Sequence, residues 1–172
     1  MFALLLACGG DEFVSDDDGE GDEGSGGPGP GPAARTCSLA VLGGPSLEGS
    51  GRAKRNGSGN LILECGEFEG STATLEIWVG NGTYEGPGDY PMINDGSRGH
   101  VSLTLDGGVT YANYSEDPAT SCELTVSHAQ ENDYPDVGST VAGSFSCKGL
   151  VPDGAPDDRI DLEDGQFDLE VY

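Results

Sequence analysis

Residues 36–172 alternate between apolar and polar side chains in short segments that are separated by turn residues. Successive side chains of a β-strand point to opposite faces of the sheet, so this two-residue period indicates strands with one buried face. No segment keeps an apolar 3.6-residue period for three turns, which argues against helices. The pattern predicts nine strands, at residues 37–42, 60–65, 72–79, 100–105, 109–114, 122–128, 140–150, 159–163 and 166–172.

Turn dipeptides between these segments indicate how the predicted strands connect. Asn81-Gly82, Asp106-Gly107 and Asp164-Gly165 supply residues that readily adopt the positive φ of tight hairpin turns. Strands joined in this way are antiparallel, and about nine of them favour a β-sandwich, with a small closed barrel as the alternative. We therefore expect an all-β fold, an antiparallel β-sandwich over residues 36–172.

The charge of the chain is strongly negative, with 31 Asp and Glu residues against seven Lys and Arg residues and a formal charge of -24. Binding to DNA or RNA needs a basic face that displaces counterions, so nucleic acid is excluded as a partner. In residues 8–35, glycines, prolines and acidic residues dominate, and Phe13 and Val14 are the only large apolar side chains. Such a segment buries too little apolar surface to offset its ordering entropy, which predicts a disordered acidic linker.

The N-terminal residues 1–7 are apolar and lead into a cysteine, in the order Leu5-Leu6-Ala7-Cys8. A membrane-spanning helix needs about 20 apolar residues, so the run indicates what is left of an export signal. These four residues resemble the lipobox of bacterial lipoproteins. The resemblance implies that the signal is cleaved before Cys8, that Cys8 carries the acyl chains, and that Gly9 in the next position favours the outer membrane over the inner one.

A second resemblance concerns the predicted domain itself. Residues 83–91, 141–147 and 164–167 are similar to the globular parts of small secreted bacterial lipoproteins that have β-sandwich domains. This resemblance implies the fold and an extracytoplasmic compartment. It carries no known active site.

The cysteines of the predicted domain have the same strand parity as its apolar core residues. Each lies on the apolar face of its strand, which predicts burial, and an even number in an exported chain predicts two disulfides. Four cysteines allow three pairings, and sequence alone does not choose among them. We favour the two pairs that join neighbouring predicted strands. No CxxC or HxxxH spacing is present, so no metal site is expected. The favoured pairs are Cys37 with Cys65 and Cys122 with Cys147.

Aromatic side chains are the candidates for ligand binding. Trp78 lies on the polar parity of its predicted strand, and Tyr84 and Tyr90 are close to it in sequence. Exposed aromatic rings of this kind stack on sugars or peptides, whereas a ring that covers a strand edge has only a packing role. The three residues are therefore a candidate binding platform.

Two charged loops complete the set of candidates. Arg52, Lys54 and Arg55 form a basic cluster in a predicted Gly-Ser-Asn loop between the first two strands. We interpret it as a solvated loop, with contact to anionic lipid or polysaccharide as the alternative. The acidic loop at residues 153–161 is interpreted as solvated rather than as a calcium site.

Catalytic motifs are missing from the sequence. It contains no GxSxG segment and no glycine pattern for a dinucleotide or a P-loop phosphate. Serines and carboxylates are too numerous for any of them to be singled out. We therefore expect no enzyme and no cofactor, and a hydrolase that uses His100 or His128 is an alternative.

These observations together predict a lipid-anchored protein of the bacterial cell envelope, non-catalytic and of interaction or structural type. Its expected partners are the membrane, through the lipid on Cys8, and an envelope polysaccharide or protein. We expect a monomer whose globular part is periplasmic or surface-exposed. The alternative to this reading within the same compartment is a carbohydrate- or peptide-binding module that uses the three aromatic residues.

Overall fold

The computed structural model describes residues 35–56, 59–80, 82–95, 98–114, 118–130, 138–152, 154–155 and 157–172. The predicted signal remnant, Cys8 and the linker up to residue 34 lie outside these residues. The described residues contain strands and no helix, so the all-β prediction is confirmed. They accordingly include no helix long and apolar enough to span a bilayer. The ten strands are β1 (Thr36–Val41), β2 (Ser46–Asn56), β3 (Asn60–Gly66), β4 (Thr74–Val79), β5 (Gly88–Met92), β6 (Gly99–Thr104), β7 (Thr110–Ala112), β8 (Ser121–Gln130), β9 (Ser139–Pro152) and β10 (Ile160–Val171).

The ten strands form one continuous sheet that closes on itself. Eight of them make a ring of antiparallel pairs in the order β1-β2-β3-β4-β6-β7-β9-β10, and β10 returns to pair with β1. Strand β8 pairs with β9, and β5 pairs with β8, so these two extend the sheet beyond the ring. The expectation of antiparallel strands is confirmed, but the sheet closes into a barrel rather than dividing into the two sheets of a sandwich.

The barrel interior is filled by the apolar residues that alternate along its strands. In β3 and β4 the inward positions are buried and the outward positions are at least partly exposed. A small barrel of this kind has a packed interior, so ligands are expected at its surface. The largest fully buried side chains are Leu61, Leu63, Leu75, Ile77, Leu103, Leu124, Leu150, Leu162 and Leu169.

Strand β2 corrects the prediction of a loop between the first two strands. The basic residues Arg52, Lys54 and Arg55 belong to this strand, which pairs with β1 on one side and with β3 on the other. Leu47 is the one large apolar residue at an inward position of β2, and Gly51 and Ala53 occupy others, so the strand lacks the run of large apolar residues that reveals a period of two. The basic cluster is therefore part of the barrel wall.

Strand β10 corrects the prediction of two strands joined by a hairpin turn at Asp164-Gly165. The two predicted strands are one, and its pairing with β9 shifts register between Leu162 and Gly165. Asp164 has a φ of 52°, so the dipeptide that suits a tight turn forms an irregularity inside a strand. A Cβ atom on Gly165 would lie 2.5 Å from the carbonyl oxygen of Phe145, which explains the glycine.

Two disulfides link the strands, and they have the pairing that the sequence favoured. Cys37 on β1 is bonded to Cys65 on β3 across the intervening strand β2, with 6.0 Å between their Cα atoms. Cys122 and Cys147 face each other directly on β8 and β9, with 4.1 Å between their Cα atoms. All four cysteines are buried in the apolar core, as their parity predicted.

Asn113 joins β5 to β6, which lie side by side without pairing as strands. Its side chain accepts a hydrogen bond from the backbone N–H of Val101 and donates to the carbonyl oxygens of Met92 and Gly99. Among the described residues Asn113 is the single buried polar one, and its side chain is 3% exposed. No buried side-chain nitrogen or oxygen in the described part of the chain lacks a hydrogen-bond partner.

Candidate functional site

An open groove of about 1020 Å³ lies on the outer surface of the barrel, across β2, β3, β4 and β6. We call it the outer groove. Its floor consists of outward side chains of these strands, and one wall comes from the first and last described residues of the chain. The residues used below are Glu64, Glu76, Ser102 and Thr104 on the floor, Arg35, Glu170 and Tyr172 in that wall, Arg52 between the floor and the wall, and Ser50 and Glu67 at one end.

The floor of the outer groove follows from strand register. Glu64 on β3 faces Glu76 on β4, and Glu76 faces Ser102 on β6, so the three side chains stand in one row across the sheet. Their neighbours in sequence, such as Leu75 and Leu103, point into the core. The alternation that fills the barrel therefore also places carboxylates and a hydroxyl side by side outside it.

Arg52 connects the floor to the wall. Its Nε donates a hydrogen bond of 2.6 Å to Oε2 of Glu64, and its guanidinium carbon lies 5.3 Å from the centroid of the Tyr172 ring. The hydrogen bond to Glu64 and the charge of that carboxylate raise the pKa of Arg52 above its ordinary value. The ion pair is exposed, so we expect it to orient the guanidinium more than to stabilise the fold.

The other carboxylates of the outer groove differ in how they are engaged. Arg35 forms an ion pair with Glu170, and the hydroxyl of Ser50 donates to Oε2 of Glu67 at 2.7 Å. Glu76 has no hydrogen bond or ion pair to any residue that the structure describes. Glu76 is thus the one groove carboxylate whose oxygens are both open to a ligand.

The aromatic platform expected from the sequence is not assembled as expected, because Tyr84 is only 5% exposed. Its ring centroid lies 5.7 Å from that of Tyr90, and the Arg55 guanidinium lies over it at 5.5 Å. The Tyr90 hydroxyl donates to the carbonyl of Gly86 at 2.5 Å. Burial raises the pKa of Tyr84 above its ordinary value. The two tyrosines therefore hold the segment before β5 against the core, and Tyr84 offers no face for stacking.

Trp78 stands apart from this pair on the outer face of β4. It lies in register between Ile62 on β3 and His100 on β6, and it is partly exposed. This row is next to the row that contains Glu76, so Trp78 shares the surface that carries the outer groove. The sequence analysis did not identify Glu76 or Tyr172 as candidate site residues. Glu76 has the outward parity expected of a surface site, but many other acidic residues share that parity, and no sequence pattern marked Tyr172.

The histidines are surrounded by amides and by exposed surface. Nδ1 of His100 lies 3.3 Å from Nδ2 of Asn94, and that amide also contacts the Asn113 carbonyl oxygen at 2.5 Å. His128 is exposed on β8, where the pairing with β9 shifts register. Neither of them lines the outer groove.

The acidic loop near residue 158 is used for internal hydrogen bonds. Oδ2 of Asp158 accepts from the Tyr111 hydroxyl at 3.3 Å, and Oδ1 of Asp161 accepts from the backbone N–H of Gly149 at 2.7 Å. Within the described ranges, no group of three or more His, Cys, Asp or Glu side chains is arranged to hold a metal ion.

Comparison with known proteins gives no match for this chain among family models, curated proteins or solved structures.

Proposed function

We propose that this chain is a non-catalytic interaction protein of a bacterial cell envelope, anchored by a lipid on Cys8. Its barrel is held outside the cytoplasm at the end of the acidic linker, and the outer membrane is the favoured site because Gly9 follows the cysteine. We expect the linker to hold the barrel at a distance from the membrane. We expect the barrel to present its outer surface to a partner.

The observation that supports this proposal is the pair of buried disulfides. Disulfides persist in oxidising compartments and are rare in the reducing cytosol. Both are enclosed in the apolar core, so they serve the fold and are not exposed redox pairs. A chain with two structural disulfides and a lipobox-like N-terminus fits export followed by acylation.

A non-catalytic role is supported by the surroundings of the candidate groups. Two of the groove carboxylates, Glu64 and Glu170, are held by arginines, whereas a general acid must retain its proton. Among the residues that the structure describes, His100 faces the amide of Asn94 and no carboxylate that would orient it as a base. These contacts favour binding over hydrolysis.

Intact-mass analysis of the membrane-extracted protein, with and without reduction, tests the proposal. We expect the mass of a chain that begins at Cys8 and carries acyl chains, and an increase of four hydrogens on full reduction. The variant Cys8→Ser should lose the acyl mass and leave the membrane fraction while it keeps both disulfides. A wild-type chain without acyl chains, or with four free thiols, would contradict the anchor or the compartment respectively.

A further inference from the structure

We propose that the outer groove binds an uncharged oligosaccharide. The inference rests on the proposed function, a non-catalytic module that presents its surface outside the cytoplasm, and it assigns to that module a site and a ligand class. Three features carry it: the pairing of both groove arginines with carboxylates, the mixture of donors and acceptors in the groove, and the exposed ring of Tyr172 at its rim.

The pairing of charges within the outer groove favours an uncharged ligand, although the groove has two arginines against four carboxylates and the whole chain is strongly acidic. Three of its four carboxylates already have donors: Arg52 for Glu64, Arg35 for Glu170 and Ser50 for Glu67. Both arginines are engaged in ion pairs with Glu64 and Glu170, and the remaining carboxylates would repel a polyanion. Glu76 is the remaining groove carboxylate, and it has no hydrogen-bond donor among the described residues.

Sugar hydroxyls both donate and accept hydrogen bonds, so a saccharide site needs acceptors and donors within reach of each other. Glu76 supplies two acceptor oxygens, and its register neighbour Ser102 supplies a hydroxyl that does either. Thr104 lies one outward position further along β6, and Arg52 stands on the opposite side of Glu64. The floor therefore offers alternating polar groups on rigid strands, spaced by the distance between strands.

Tyr172 gives the groove an amphipathic rim. Its residue surface is 61% exposed, its backbone N–H donates to the carbonyl of Ala53 at 3.2 Å, and Arg52 covers one side of its ring. A ring with an apolar face and a polar tip packs well against a partner that has both kinds of surface. The C–H face of a sugar ring has this character.

The position of the Cys37–Cys65 disulfide supports a preformed site. The backbones of Gly51 and Cys65 line the outer groove, and the disulfide crosses the inner side of β2 at Gly51. The bond ties β1 to β3 and so fixes the curvature of the strands beneath the groove. A site that is already shaped loses less conformational entropy when it binds.

Retention of the full chain on an array of oligosaccharides tests the proposal. The array carries uncharged glucans and N-acetylglucosamine oligomers, sulfated and uronic-acid polymers, and polylysine. We expect retention on one of the uncharged classes, with affinity reduced at least tenfold in Glu76→Gln and in Tyr172→Ala. The matched controls Glu123→Gln and Tyr114→Ala, which change exposed residues outside the groove, should bind as the wild type does.

Each other outcome overturns the inference. Retention on polylysine or on the polyanions alone would assign a different ligand class, and retention of the wild type on nothing would remove the site. Binding that survives in both groove variants and is lost in Trp78→Ala would place the site on the row of Trp78. Thermal unfolding of every variant shows that the barrel is intact. If the wild-type chain is acylated and disulfide-bonded but binds no oligosaccharide, the groove proposal alone is contradicted. If the wild-type chain extracted from its host binds but carries no acyl chains, the anchor alone is contradicted.

Discussion

Asn113 satisfies both backbone hydrogen-bonding groups of Val101. The Oδ1 atom of Asn113 accepts from the Val101 N–H at 2.8 Å, and the Asn113 N–H donates to the Val101 carbonyl at 3.2 Å. Strand β7 ends at Ala112, so this one residue continues the ladder of β6 beyond the end of its partner. Its amide group then reaches Met92 on β5, and the gap beside β6 is closed.

Replacing Asn113 should therefore destabilise the barrel strongly. Asn113→Ala leaves the Val101 N–H and the Met92 and Gly99 carbonyls without their partner in a buried setting. Each unsatisfied group costs about 1–3 kcal/mol, so we expect the loss of three partners to lower the free energy of unfolding by at least about 3 kcal/mol. Chemical denaturation measures it.

The nearly isosteric Asn113→Asp separates the donor from the acceptor role of this side chain. An aspartate still accepts from Val101, but it cannot donate to the two carbonyls unless it takes up a proton. We expect it to be as destabilising as alanine at neutral pH and to recover stability as the pH falls. A loss below about 1 kcal/mol in both variants would show that the side chain is not needed to close the sheet.

Gly51 allows β2 to pass beneath the first disulfide. A Cβ atom at this position would lie 2.7 Å from Sγ of Cys37 and 2.7 Å from the carbonyl oxygen of Glu64. Gly51→Ala should destabilise the barrel by about 1–3 kcal/mol, as overpacking does. Gly66→Ala is the matched control, because its Cβ would meet only a methyl group of Thr74 at 3.7 Å. Equal thermal midpoints for the two variants would contradict the close approach.

The Cys37–Cys65 disulfide should stabilise the fold mainly by restricting the unfolded chain. The cysteines are 28 residues apart, and a loop of that length is worth about 3–4 kcal/mol in the chain-entropy model. The double variant with alanine at both positions should lose that amount in urea denaturation. The corresponding Cys122 and Cys147 variant should lose a similar amount, since its separation is 25 residues. A small loss in one pair would indicate that its loop is already restricted when unfolded.

Asp106 should make stability depend on pH. Its carboxylate accepts from the Thr72 hydroxyl at 2.7 Å, from the Thr72 backbone N–H at 2.6 Å and from the Ser71 hydroxyl at 3.0 Å. The side-chain hydrogen bond from Thr72 is the largest cause, followed by its backbone N–H and by Ser71, and together they lower the pKa of Asp106 below its ordinary value. The stability that it contributes is therefore complete above about pH 4–5 and is lost as the pH falls through the lowered pKa.

Thermal unfolding of Asp106→Asn against wild type checks this direction. We expect a lower midpoint for the variant at pH 7, and a difference that shrinks as the pH is lowered from 4 to 2. Glu123→Gln, at an exposed position on β8, controls for removal of a negative charge. A difference that grows toward acid pH would have the wrong sign and would contradict the hydrogen-bonded carboxylate.

Strands could be predicted where alternating side chains fill the core, and not where the backbone itself is closely packed. Strands β3 and β4 carry leucine, isoleucine, valine or cysteine at every inward position, and this alternation predicted them from the sequence. In β2 the inward position 51 is a glycine because the disulfide occupies the space of a side chain. Strand β5 was not predicted, because it is short and contains Pro91 and an initial glycine, residues that are unfavourable inside strands; it lies at the end of the sheet order. Closure into a barrel depends on pairings between strands that are distant in sequence, and a two-residue period does not report which strands pair.

The candidate site shows the same limit. Parity placed Glu76 and Trp78 on the outer face, but their distance from Tyr172 depends on the register of β2 with β3 and of β10 with β2. That register brings Tyr172 beside Ala53, more than a hundred residues away in the chain. Burial of Tyr84 depends in turn on how the segment before β5 folds back, which no local pattern reports.

The wall formed by Arg35, Glu170 and Tyr172 bears on how the protein should be produced for ligand screening. Because Tyr172 lines the groove, any residue that directly follows it, such as the first residue of a fused affinity tag, would start at the rim and compete with a ligand for the tyrosine ring. A histidine tag would also bring titratable cations next to Glu170. Ligand screening should therefore use protein from which a tag at this position has been removed.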